Sequence, residues 1–391
     1  MHLLIDATCL GKRLKGVGRY SDEVLRRLPS YLPEGWRVTV VVFDRELPAG
    51  LEGVGPFNWV RISQCGESWF GLIVLKRLIR DLQANALLRL ADASGHHYAV
   101  PAVTVCHDID QLIFQAAKIR LNPLRRIVLM LRQWAKARGL QASTSVLCVS
   151  DFIRSRMFSG YGVELDRCVT HYLGLDASMT SISSSSGANT GAYPDSGYLL
   201  AIATGDPREQ ATMLPGLFQA IRSHGYQGAL VIAGLDISAP YASALKDSLL
   251  SQGFQTGVDF YLLGFFDASR YGELLQHFAQ ADAYLETSGH EGFGMQQLEA
   301  LALGTLVAST GAGALREIGS DFPVYFDAEK LDDAGLRIAS AIRDRDPNRI
   351  AEQIEYARSF NWDQTTQAVA QVLLDCELSS QYASSLLATH P

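Results

Sequence analysis

The chain has 391 residues, of which 48% are hydrophobic and 19% are charged, and its formal net charge is −7. One hydrophobic core does not grow to this size, so the length indicates two domains, and the composition is typical of an ordinary globular protein. The sequence shows neither an apolar run of membrane-spanning length nor a secretory leader, so we expect a cytoplasmic protein.

The six cysteines form no CxxC pair and have no regular spacing, so we expect reduced thiols and no zinc site. Charge is unevenly distributed: residues 1–177 carry 23 Lys and Arg against 16 Asp and Glu, whereas residues 178–391 carry 11 against 25. An acidic second half must bind anions through local dipoles, because its overall field repels them. Neither half has the basic and aromatic pattern typical of nucleic-acid binding.

The first motif is a glycine turn after an apolar strand near the N-terminus. Residues 2–7 form a buried-strand pattern, and Gly16-Val-Gly-Arg-Tyr20 leads into an amphipathic helix that we expect to begin at Ser21. The motif lacks the third glycine and the distant acidic residue of a dinucleotide fingerprint. It therefore does not by itself predict a dinucleotide cofactor.

A histidine stands at the end of another apolar strand. The segments 38–43 and 101–106 both have the composition of buried strands, and the second is followed directly by His107 and Asp108. Ligands of open α/β sheets bind at the carboxyl ends of the strands. His107 is therefore a candidate functional residue.

The segment 111–150 contains no acidic residue and seven basic ones, namely Lys118, Arg120, Arg125, Arg126, Arg132, Lys136 and Arg138. Apolar residues at helical spacing between 127 and 135 make the basic segment 118–138 an amphipathic helix. Its apolar face either packs on the first domain or contacts an anionic membrane surface or a lipid-phosphate acceptor. The small polar residues of 178–194 predict a flexible linker.

The second half alternates apolar strands with helical stretches. Strands are predicted at 198–203, 230–234 and 260–264, and glycine lies at or shortly after the end of each one. Alternation at this pitch predicts a parallel sheet with helices on both faces.

The most informative run is Ala281-Asp-Ala-Tyr-Leu-Glu-Thr-Ser-Gly-His-Glu-Gly-Phe-Gly-Met-Gln-Gln-Leu-Glu-Ala300. It reads as a strand, a glycine turn and a helix that starts near Gly294, a layout that directs backbone N–H groups and a positive dipole end at an anion. Glu291 and Glu299 are eight residues apart, and ionised carboxylates accept hydrogen bonds from sugar hydroxyls. The run therefore predicts a site for a sugar joined to a phosphate.

This run resembles the E-x7-E motif of retaining GT-B glycosyltransferases of the GT4 family, also called glycosyl transferases group 1. The flanking residues fit the same family: Gly264-Phe-Phe upstream, and Gly304-Thr-Leu-Val-Ala-Ser and Leu315-Arg-Glu-Ile downstream. The resemblance implies an α/β GT-B fold, in which two Rossmann-like doubly wound domains face each other across a cleft. The implied bounds are an acceptor-side domain at 1–177, the linker 178–194, a nucleotide-sugar domain at 195–362, and a last helix and tail at 363–391 that cross back to the first domain.

The resemblance also implies roles for individual residues. Two are implied to be catalytic, His107 and Glu291. The implied donor-binding residues are Gly16, Gly18, Gly205, Arg208, Phe265, Gly292, Phe293, Gly294 and Glu299. The acceptor side would contain Arg19, Tyr20 and Asp108. Neither a metal nor a further cofactor is implied beside the nucleotide-sugar donor, and the acceptor would be a glycan or a lipid-linked molecule.

The sequence departs from the family at one position of the expected phosphate site. Relatives have Pro-Arg-Lys-Asn after the first strand of the second domain, and the Lys and Arg hold the donor pyrophosphate. Here the corresponding residues are Pro207-Arg208-Glu209-Gln210. Either Glu209 turns outward, so that Arg208 and a helix dipole suffice, or donor binding is impaired.

The resemblance implies a retaining, metal-independent hexosyl transfer from a nucleotide-diphospho-sugar to an acceptor hydroxyl. GDP-mannose is our first expectation for the donor, because the motifs resemble bacterial mannosyltransferases of polysaccharide and lipopolysaccharide assembly, and UDP-hexoses stay open. Two alternatives stay open as well. One is a catalytically impaired GT-B scaffold or sugar-binding subunit, motivated by Glu209, and the other is an epimerase that acts on the nucleotide sugar itself.

Overall fold

The computed structural model describes residues 1–11, 16–66, 69–91, 98–109, 123–176, 179 and 197–388, and within these ranges the side chains of 123–126, Ala268 and 377–388 are left out. The described residues form two compact units. The first contains the residues up to Gly174 together with those from Asn361 onward, and the second contains Leu175 to Phe360. Apart from Met179, the predicted linker 178–194 lies outside the described residues.

The first unit is built on a parallel sheet of seven strands in the order β3-β2-β1-β4-β5-β6-β7. The strands are β1 (His2–Asp6), β2 (Arg37–Phe43), β3 (Phe57–Ile62), β4 (Ala86–Arg89), β5 (Ala102–Cys106), β6 (Ser145–Cys148) and β7 (Cys168–Thr170). All residues of β1 and β5 are buried. Continuous burial is typical of parallel strands that are covered on both faces.

The helices of the first unit are α1 (Gly16–Arg27), α2 (Leu75–Asp81), α3 (Pro123–Gln141), α4 (Asp151–Tyr161) and α12 (Trp362–Ala388), with a π-helical turn at Phe70–Val74 before α2. The prediction that the first helix begins at Ser21 is wrong, because α1 begins at Gly16. Buried Tyr20, Val24 and Leu25 share one face of α1 with Val17, so the helical repeat of apolar residues already starts there. Gly16 and Gly18 therefore lie in the first turn of a helix and not in a loop.

Helix α3 has two different halves. From Ala135 onward it includes buried residues, among them Lys136 and Leu140, so this half packs on the first unit. In the preceding half Ile127, Met130, Leu131 and Trp134 are 54%, 61%, 62% and 53% exposed. Because these four residues recur at helical spacing, the first half of α3 presents an uncovered apolar stripe.

The last helix, α12, completes the first unit. Thr365 Oγ1 donates a hydrogen bond to the carbonyl of Tyr172 at 2.7 Å, and Ser145 Oγ lies 3.5 Å from Cys376 Sγ. The start of α12 lies against Gly174, where a Cβ atom would stand only 2.1 Å from the Trp362 nitrogen. The final segment thus belongs to the unit in which the chain begins.

The second unit repeats the same plan with six parallel strands in the order β10-β9-β8-β11-β12-β13. The strands are β8 (Tyr198–Ile202), β9 (Ala229–Leu235), β10 (Phe260–Gly264), β11 (Ala283–Glu286), β12 (Leu306–Ser309) and β13 (Val324–Tyr325). The helices are α5 (Leu214–Ser223), α6 (Pro240–Ser251), α7 (Tyr271–Gln280), α8 (Met295–Ala302), α9 (Leu315–Gly319), α10 (Leu331–Arg343) and α11 (Pro347–Arg358). Leu199, Leu230, Phe260 and Leu285 lie in its buried core.

Both sheets have the doubly wound Rossmann order, as predicted. In the second unit the order reverses between β8 and β11, which are hydrogen-bonded neighbours. In open α/β sheets, ligands bind outside the carboxyl ends of the strands at such a point. None of the described helices is long and apolar enough to cross a membrane.

Candidate functional site

The loops that follow β8 and β11 are joined at the point where the strand order reverses. The Gly289 nitrogen donates to the Arg208 carbonyl at 2.7 Å, and Thr287 Oγ1 donates to the Glu209 carbonyl at 2.6 Å. Since β8 and β11 are adjacent, two motifs that are about eighty residues apart in sequence lie side by side. This junction is the centre of the candidate site.

Arg208 and Glu291 are brought together at this junction. The guanidinium Nη1 of Arg208 lies 3.9 Å from Glu291 Oε2, and its Nε lies 3.3 Å from Asp206 Oδ2. The side chains of Arg208 and Glu291 are 25% and 20% exposed, so both remain accessible from solvent. Asp206 also accepts a hydrogen bond from the Arg208 nitrogen at 3.0 Å, and its part in holding Arg208 was missed by the sequence analysis.

Gly205 allows the turn between β8 and Arg208. Its φ is +87°, a conformation that favours glycine, and a Cβ atom there would lie 3.2 Å from the ring of Tyr241. The turn ends at Gln210, which is also left-handed with a φ of +49°. Gly205 therefore shapes the turn that carries Arg208.

One of our two alternatives was that Glu209 turns outward. The structure shows that it does not. Its carboxylate bends back over its own turn and accepts hydrogen bonds from the Thr204 nitrogen at 2.6 Å and from Thr204 Oγ1 at 2.7 Å. Burial raises the pKa of Glu209 above its usual range, and the two bonds from Thr204 offset part of this rise. The carboxylate thus occupies the two donors of Thr204, just before the turn that carries Arg208.

The loop after β12 holds the Glu291 loop from the other side. The Ala314 nitrogen donates to the Glu291 carbonyl at 2.9 Å, and Thr310 Oγ1 donates to the Ser288 carbonyl at 2.6 Å. Gly313 has a φ of +66°, and a Cβ atom there would lie 2.3 Å from the carbonyl oxygen of Glu291. Only glycine permits this close approach, which fixes the backbone at Glu291.

Helix α8 begins directly after the glycine turn, as predicted. Gly292, Phe293 and Gly294 are buried, and Gly294 caps the helix with a φ of +94°. A Cβ atom at Gly294 would lie 2.6 Å from Leu315 Cδ2, so the start of α8 packs tightly on α9. The positive end of the helix dipole therefore lies next to Glu291 and Arg208 in the same unit.

Glu299 lies deeper than Glu291. Its residue is only 2% exposed, and Tyr271 Oη, at the start of α7, donates a hydrogen bond of 2.6 Å to Glu299 Oε1. Tyr271 was not predicted as a site residue, because no pattern connects two residues 28 positions apart. Glu299 is thus a buried carboxylate held by a neighbouring hydroxyl.

Phe265 follows β10 and is 39% exposed. Ile237 follows the adjacent strand β9 and is 57% exposed, and its Cδ1 would lie 3.8 Å from a Cβ atom at Gly264. Both apolar side chains lie beyond the carboxyl ends of neighbouring strands. They offer a partly exposed apolar surface at the same sheet edge as Arg208.

The predicted acceptor-side residues all belong to the first unit. Arg19 is half-buried in the first turn of α1, beside Gly16, which is exposed, and Gly18, which is buried; both glycines were predicted to bind the donor. The Tyr20 ring is fully buried, so in this structure it presents no surface to an acceptor. Asp108 is half-buried, and its Oδ1 accepts a hydrogen bond from the Ile109 nitrogen at 2.8 Å.

His107 follows β5 and is half-buried. Its Nε2 lies 2.9 Å from the Leu90 carbonyl, which follows the neighbouring strand β4, and its ring packs edge-to-face against Tyr20 with 4.9 Å between centroids. His171, which follows β7, lies 2.9 Å from the Tyr20 hydroxyl through its Nε2. His171 was missed although it follows a strand just as His107 does, because β7 has only three residues and gives no clear strand pattern.

Comparison with known proteins decides the family. Residues 14–178 match the model of Glycosyltransferase Family 4, and residues 188–360 match that of Glycosyl transferases group 1. The chain belongs to the GT4 family of GT-B glycosyltransferases. This GT4 protein is similar to O-antigen chain mannosyltransferase B of Escherichia coli, with 25% identity over 386 residues that cover 91% of this chain and 95% of that protein.

Solved structures show the same fold. WaaG, a glycosyltransferase involved in lipopolysaccharide biosynthesis, matches with a TM-score of 0.67 and 14% identity, over 95% of this chain and 99% of its own. Alr3699/HepE of Anabaena, in complex with UDP-glucose, matches with a TM-score of 0.67 and 15% identity, over 96% of this chain and 100% of its own. The GT4 protein therefore has the GT-B fold, and glycosyl transfer is the reaction class of its family.

Proposed function

We propose that this GT4 protein transfers a hexose, with retention and without a metal ion, from a nucleotide-diphospho-sugar to an acceptor hydroxyl. The observation that carries the proposal is the pairing of Arg208 with Glu291 at 3.9 Å where the strand order reverses. Arg208 would bind the pyrophosphate and Glu291 would bind the sugar hydroxyls. The two residues are adjacent, just as the pyrophosphate and the sugar are adjacent in such a donor.

GDP-mannose is the first donor we propose, and UDP-hexoses are the second. The similarity to the Escherichia coli O-antigen mannosyltransferase favours mannose. The UDP-glucose complex of the Anabaena protein keeps a UDP-sugar in consideration. The acceptor would be a growing polysaccharide or lipopolysaccharide, either free or linked to a lipid.

In the proposed reaction, negative charge develops on the leaving phosphate as the sugar–phosphate bond breaks. Arg208, the N-terminal end of α8 and the backbone of Gly292–Gly294 would stabilise this charge. The acceptor would attack from the face of the leaving group, and the phosphate would take its proton, so that the configuration is retained without an enzymic nucleophile. Glu291 would bind the sugar hydroxyls, and Glu299 would bind those of the ribose.

The remaining residues receive roles in the same proposal. His107 would contact the donor sugar, and Phe265 would contact the base. The pairing of Arg208 with Glu291 also suggests an order of events: a pyrophosphate competes for Arg208, and the released carboxylate of Glu291 then accepts hydrogen bonds from the sugar. Binding and orientation of the donor would thus be coupled through one ion pair.

The test is a panel of GDP-mannose, GDP-fucose, UDP-glucose, UDP-galactose and UDP-N-acetylglucosamine, read by thermal shift and by product analysis. A ligand at 100 times its dissociation constant stabilises a protein by about 2.7 kcal/mol, and we expect one sugar nucleotide to do so. Glu299→Ala should abolish the shift. Glu329→Gln removes an exposed carboxylate of the same unit and should leave the shift unchanged.

The same panel separates the alternatives. If no nucleotide stabilises the protein and no product forms, the proposal fails, and the impaired scaffold motivated by Glu209 becomes the better description. A sugar nucleotide that is isomerised in the absence of any acceptor would instead indicate an epimerase. Glycosyl transfer with inverted configuration would contradict the mechanism while leaving the family unaffected.

We also propose that the protein works at the cytoplasmic face of the inner membrane through the exposed half of α3. The support is the apolar stripe of Ile127, Leu131 and Trp134 within a segment, 118–138, whose charged residues are all basic. Apolar side chains beside basic ones suit an anionic lipid surface. Co-sedimentation should be stronger with phosphatidylglycerol vesicles than with phosphatidylcholine vesicles, and Leu131→Glu should reduce it whereas Leu336→Glu, in α10, should not.

A further inference from the structure

A continuous series of contacts leads from the end of β6 to His107. His171 Nδ1 lies 3.2 Å from the Cys148 carbonyl, and His171 Nε2 lies 2.9 Å from the Tyr20 hydroxyl. The Tyr20 ring then packs edge-to-face against both His171 and His107, at centroid distances of 5.5 and 4.9 Å. His107 Nε2 finally lies 2.9 Å from the Leu90 carbonyl. Both ends of the series are therefore fixed to the backbone.

The chemistry of these partners determines where the protons lie. A backbone carbonyl only accepts hydrogen bonds, so His171 donates through Nδ1–H, and its Nε2 accepts from the Tyr20 hydroxyl. Burial, and next the proximity of His107, lower the pKa of His171 to about 3, so that this ring is neutral at physiological pH. By the same argument, His107 donates through Nε2–H to the Leu90 carbonyl.

The ring of His107 is consequently held from two directions. The Leu90 carbonyl fixes one nitrogen, and the Tyr20 ring, which is fully buried, supports the imidazole from the side. The ring of Tyr20 is itself in contact with Trp362 at 6.3 Å between centroids, and its hydroxyl is anchored by His171. Neither Tyr20 nor His171 needs to touch a substrate in order to affect His107.

We propose that Tyr20 and His171 are positioning residues that fix the orientation of His107. This inference rests on the proposed function, in which His107 contacts the donor sugar. It replaces the acceptor contact that the resemblance implies for Tyr20, since the buried ring presents no surface to an acceptor. Tyr20 and His171 would act on the reaction through His107 alone.

The first test reads His107 directly and requires no substrate. Two-dimensional ¹H–¹⁵N spectra of protein with ¹⁵N-labelled histidine distinguish the two neutral tautomers, and His107→Asn assigns the signals. We expect the Nε2–H form of His107 in the unsubstituted protein. Tyr20→Phe removes only the hydroxyl, and His171→Leu removes its partner; either change should loosen the Tyr20 ring and so shift and broaden the ring signals of His107. His171→Gln retains an acceptor and a donor, and it should restore the signals of the unsubstituted protein.

The second test is kinetic and follows sugar transfer with the donor identified by the panel. Tyr20→Phe should reduce kcat by roughly 10- to 100-fold, with a smaller change in KM, because a misplaced group costs about this much. In the His107→Asn background, the same substitution should cost nothing further, since the two residues would act as one unit. Melting temperatures identify variants that fail to fold. If His171→Leu does not fold, Tyr20→Phe alone is sufficient to test the inference.

Two results would overturn the inference. One is an unchanged His107 spectrum in Tyr20→Phe, and the other is a loss of activity that is additive with that of His107→Asn. The proposed function can fail independently, because an absence of transfer from every donor refutes that function whereas the spectra still decide whether Tyr20 and His171 hold His107.

Discussion

The hydroxyl of Tyr271 donates a hydrogen bond of 2.6 Å to the buried carboxylate of Glu299. The carboxylate is thereby held at a fixed position on α8 by a residue at the start of α7. Because Glu299 is 2% exposed, loss of this donor leaves an acceptor that water reaches poorly. The orientation of Glu299 therefore depends on a side chain that belongs to another helix.

We expect Tyr271→Phe to reduce the free energy of unfolding by about 1–3 kcal/mol, the usual range when a buried group loses its partner. It should also weaken nucleotide binding. Urea denaturation and calorimetric titration measure the two effects. Tyr261→Phe is the control, since its hydroxyl bonds the Gly257 carbonyl at the surface, and it should stay within about 0.5 kcal/mol of the unsubstituted protein. Equal effects of both substitutions would contradict the prediction.

Replacement of Glu209 should strengthen the binding of nucleoside diphosphates. Glu209→Gln removes a negative charge beside Arg208, and Glu209→Lys also adds a positive one. We expect the dissociation constant for GDP or UDP to fall by about tenfold for Lys, equivalent to about 1.4 kcal/mol, and by less for Gln, which can no longer accept both bonds from Thr204. Glu329→Lys, at an exposed site of the same unit, controls for net charge. Unchanged affinity in Glu209→Lys would show that Glu209 does not face the phosphates.

The raised pKa of Glu209 predicts a pH dependence of the same binding. Because burial raises the pKa, the carboxylate takes up a proton at a higher pH than an exposed one, and its charge and repulsion are then lost. The affinity of the unsubstituted protein for a nucleoside diphosphate should therefore rise as the pH falls toward this pKa. Arg208 keeps its charge throughout. Titration of the nucleotide's own phosphates affects both proteins equally, so the affinity of Glu209→Gln over the same pH range serves as the control. Parallel curves of affinity against pH for the two proteins would refute the prediction.

Gly313→Ala should damage the site much more than a comparable substitution elsewhere. Gly313 and Gly253 both have positive φ, +66° and +88°. A Cβ atom at Gly313 would lie 2.3 Å from the carbonyl oxygen of Glu291, whereas a Cβ atom at Gly253 would meet no atom within 4 Å. Gly253→Ala should cost about 1–2 kcal/mol of unfolding free energy, from backbone strain alone. Gly313→Ala should cost more and should also abolish donor binding. Chemical denaturation and calorimetry measure both, and equal costs would show that the contact with Glu291 is unimportant.

The neutral state of His171 predicts how stability depends on pH. Its pKa is lowered to about 3 in the folded protein, whereas it is about 6.5 in an unfolded chain. Between these values the unfolded chain binds one proton more, so stability decreases as the pH falls, by at most about 1.4 kcal/mol per pH unit. His171→Gln should flatten this part of the profile. Denaturation curves between pH 4 and pH 7 (about the span of the two pKa values) measure the difference, and identical slopes would contradict the prediction.

Much of this arrangement is accessible from the sequence because local patterns encode it. Continuous apolar strands such as β5 and β8 were predicted almost to their bounds, and the glycine turn correctly predicted a helix start near Gly294, which is the N-cap of α8. Strand β3 was missed because polar residues, Asn58 and Arg61, interrupt its apolar pattern at the edge of the sheet. Strand β13 has only two residues, too few for any periodicity.

The parts of the site that could not be predicted depend on contacts between distant segments. The Glu209 side chain is held by hydrogen bonds from Thr204, and the Glu299 carboxylate is held by the hydroxyl of Tyr271 at the start of α7. Sequence patterns identify which residues have the required functional groups, but they do not predict the side-chain rotamers of those residues, because packing between distant segments selects them. The mistaken start of the first helix has a simpler cause, because two glycines were read as a loop although the apolar repeat continued through them.

The return of α12 to the first unit has a consequence for biosynthesis. Of the described residues, the second unit takes those between Leu175 and Phe360, whereas the first is made from both sides of them. On the ribosome, residues 197–360 of the second unit emerge while the first unit still lacks the helix that contacts Tyr20 and the carbonyl of Tyr172. We therefore expect the second unit to finish folding before the first, against the usual order in which an N-terminal domain folds first. Early termination within α12 would leave an unfinished first unit beside a finished second one.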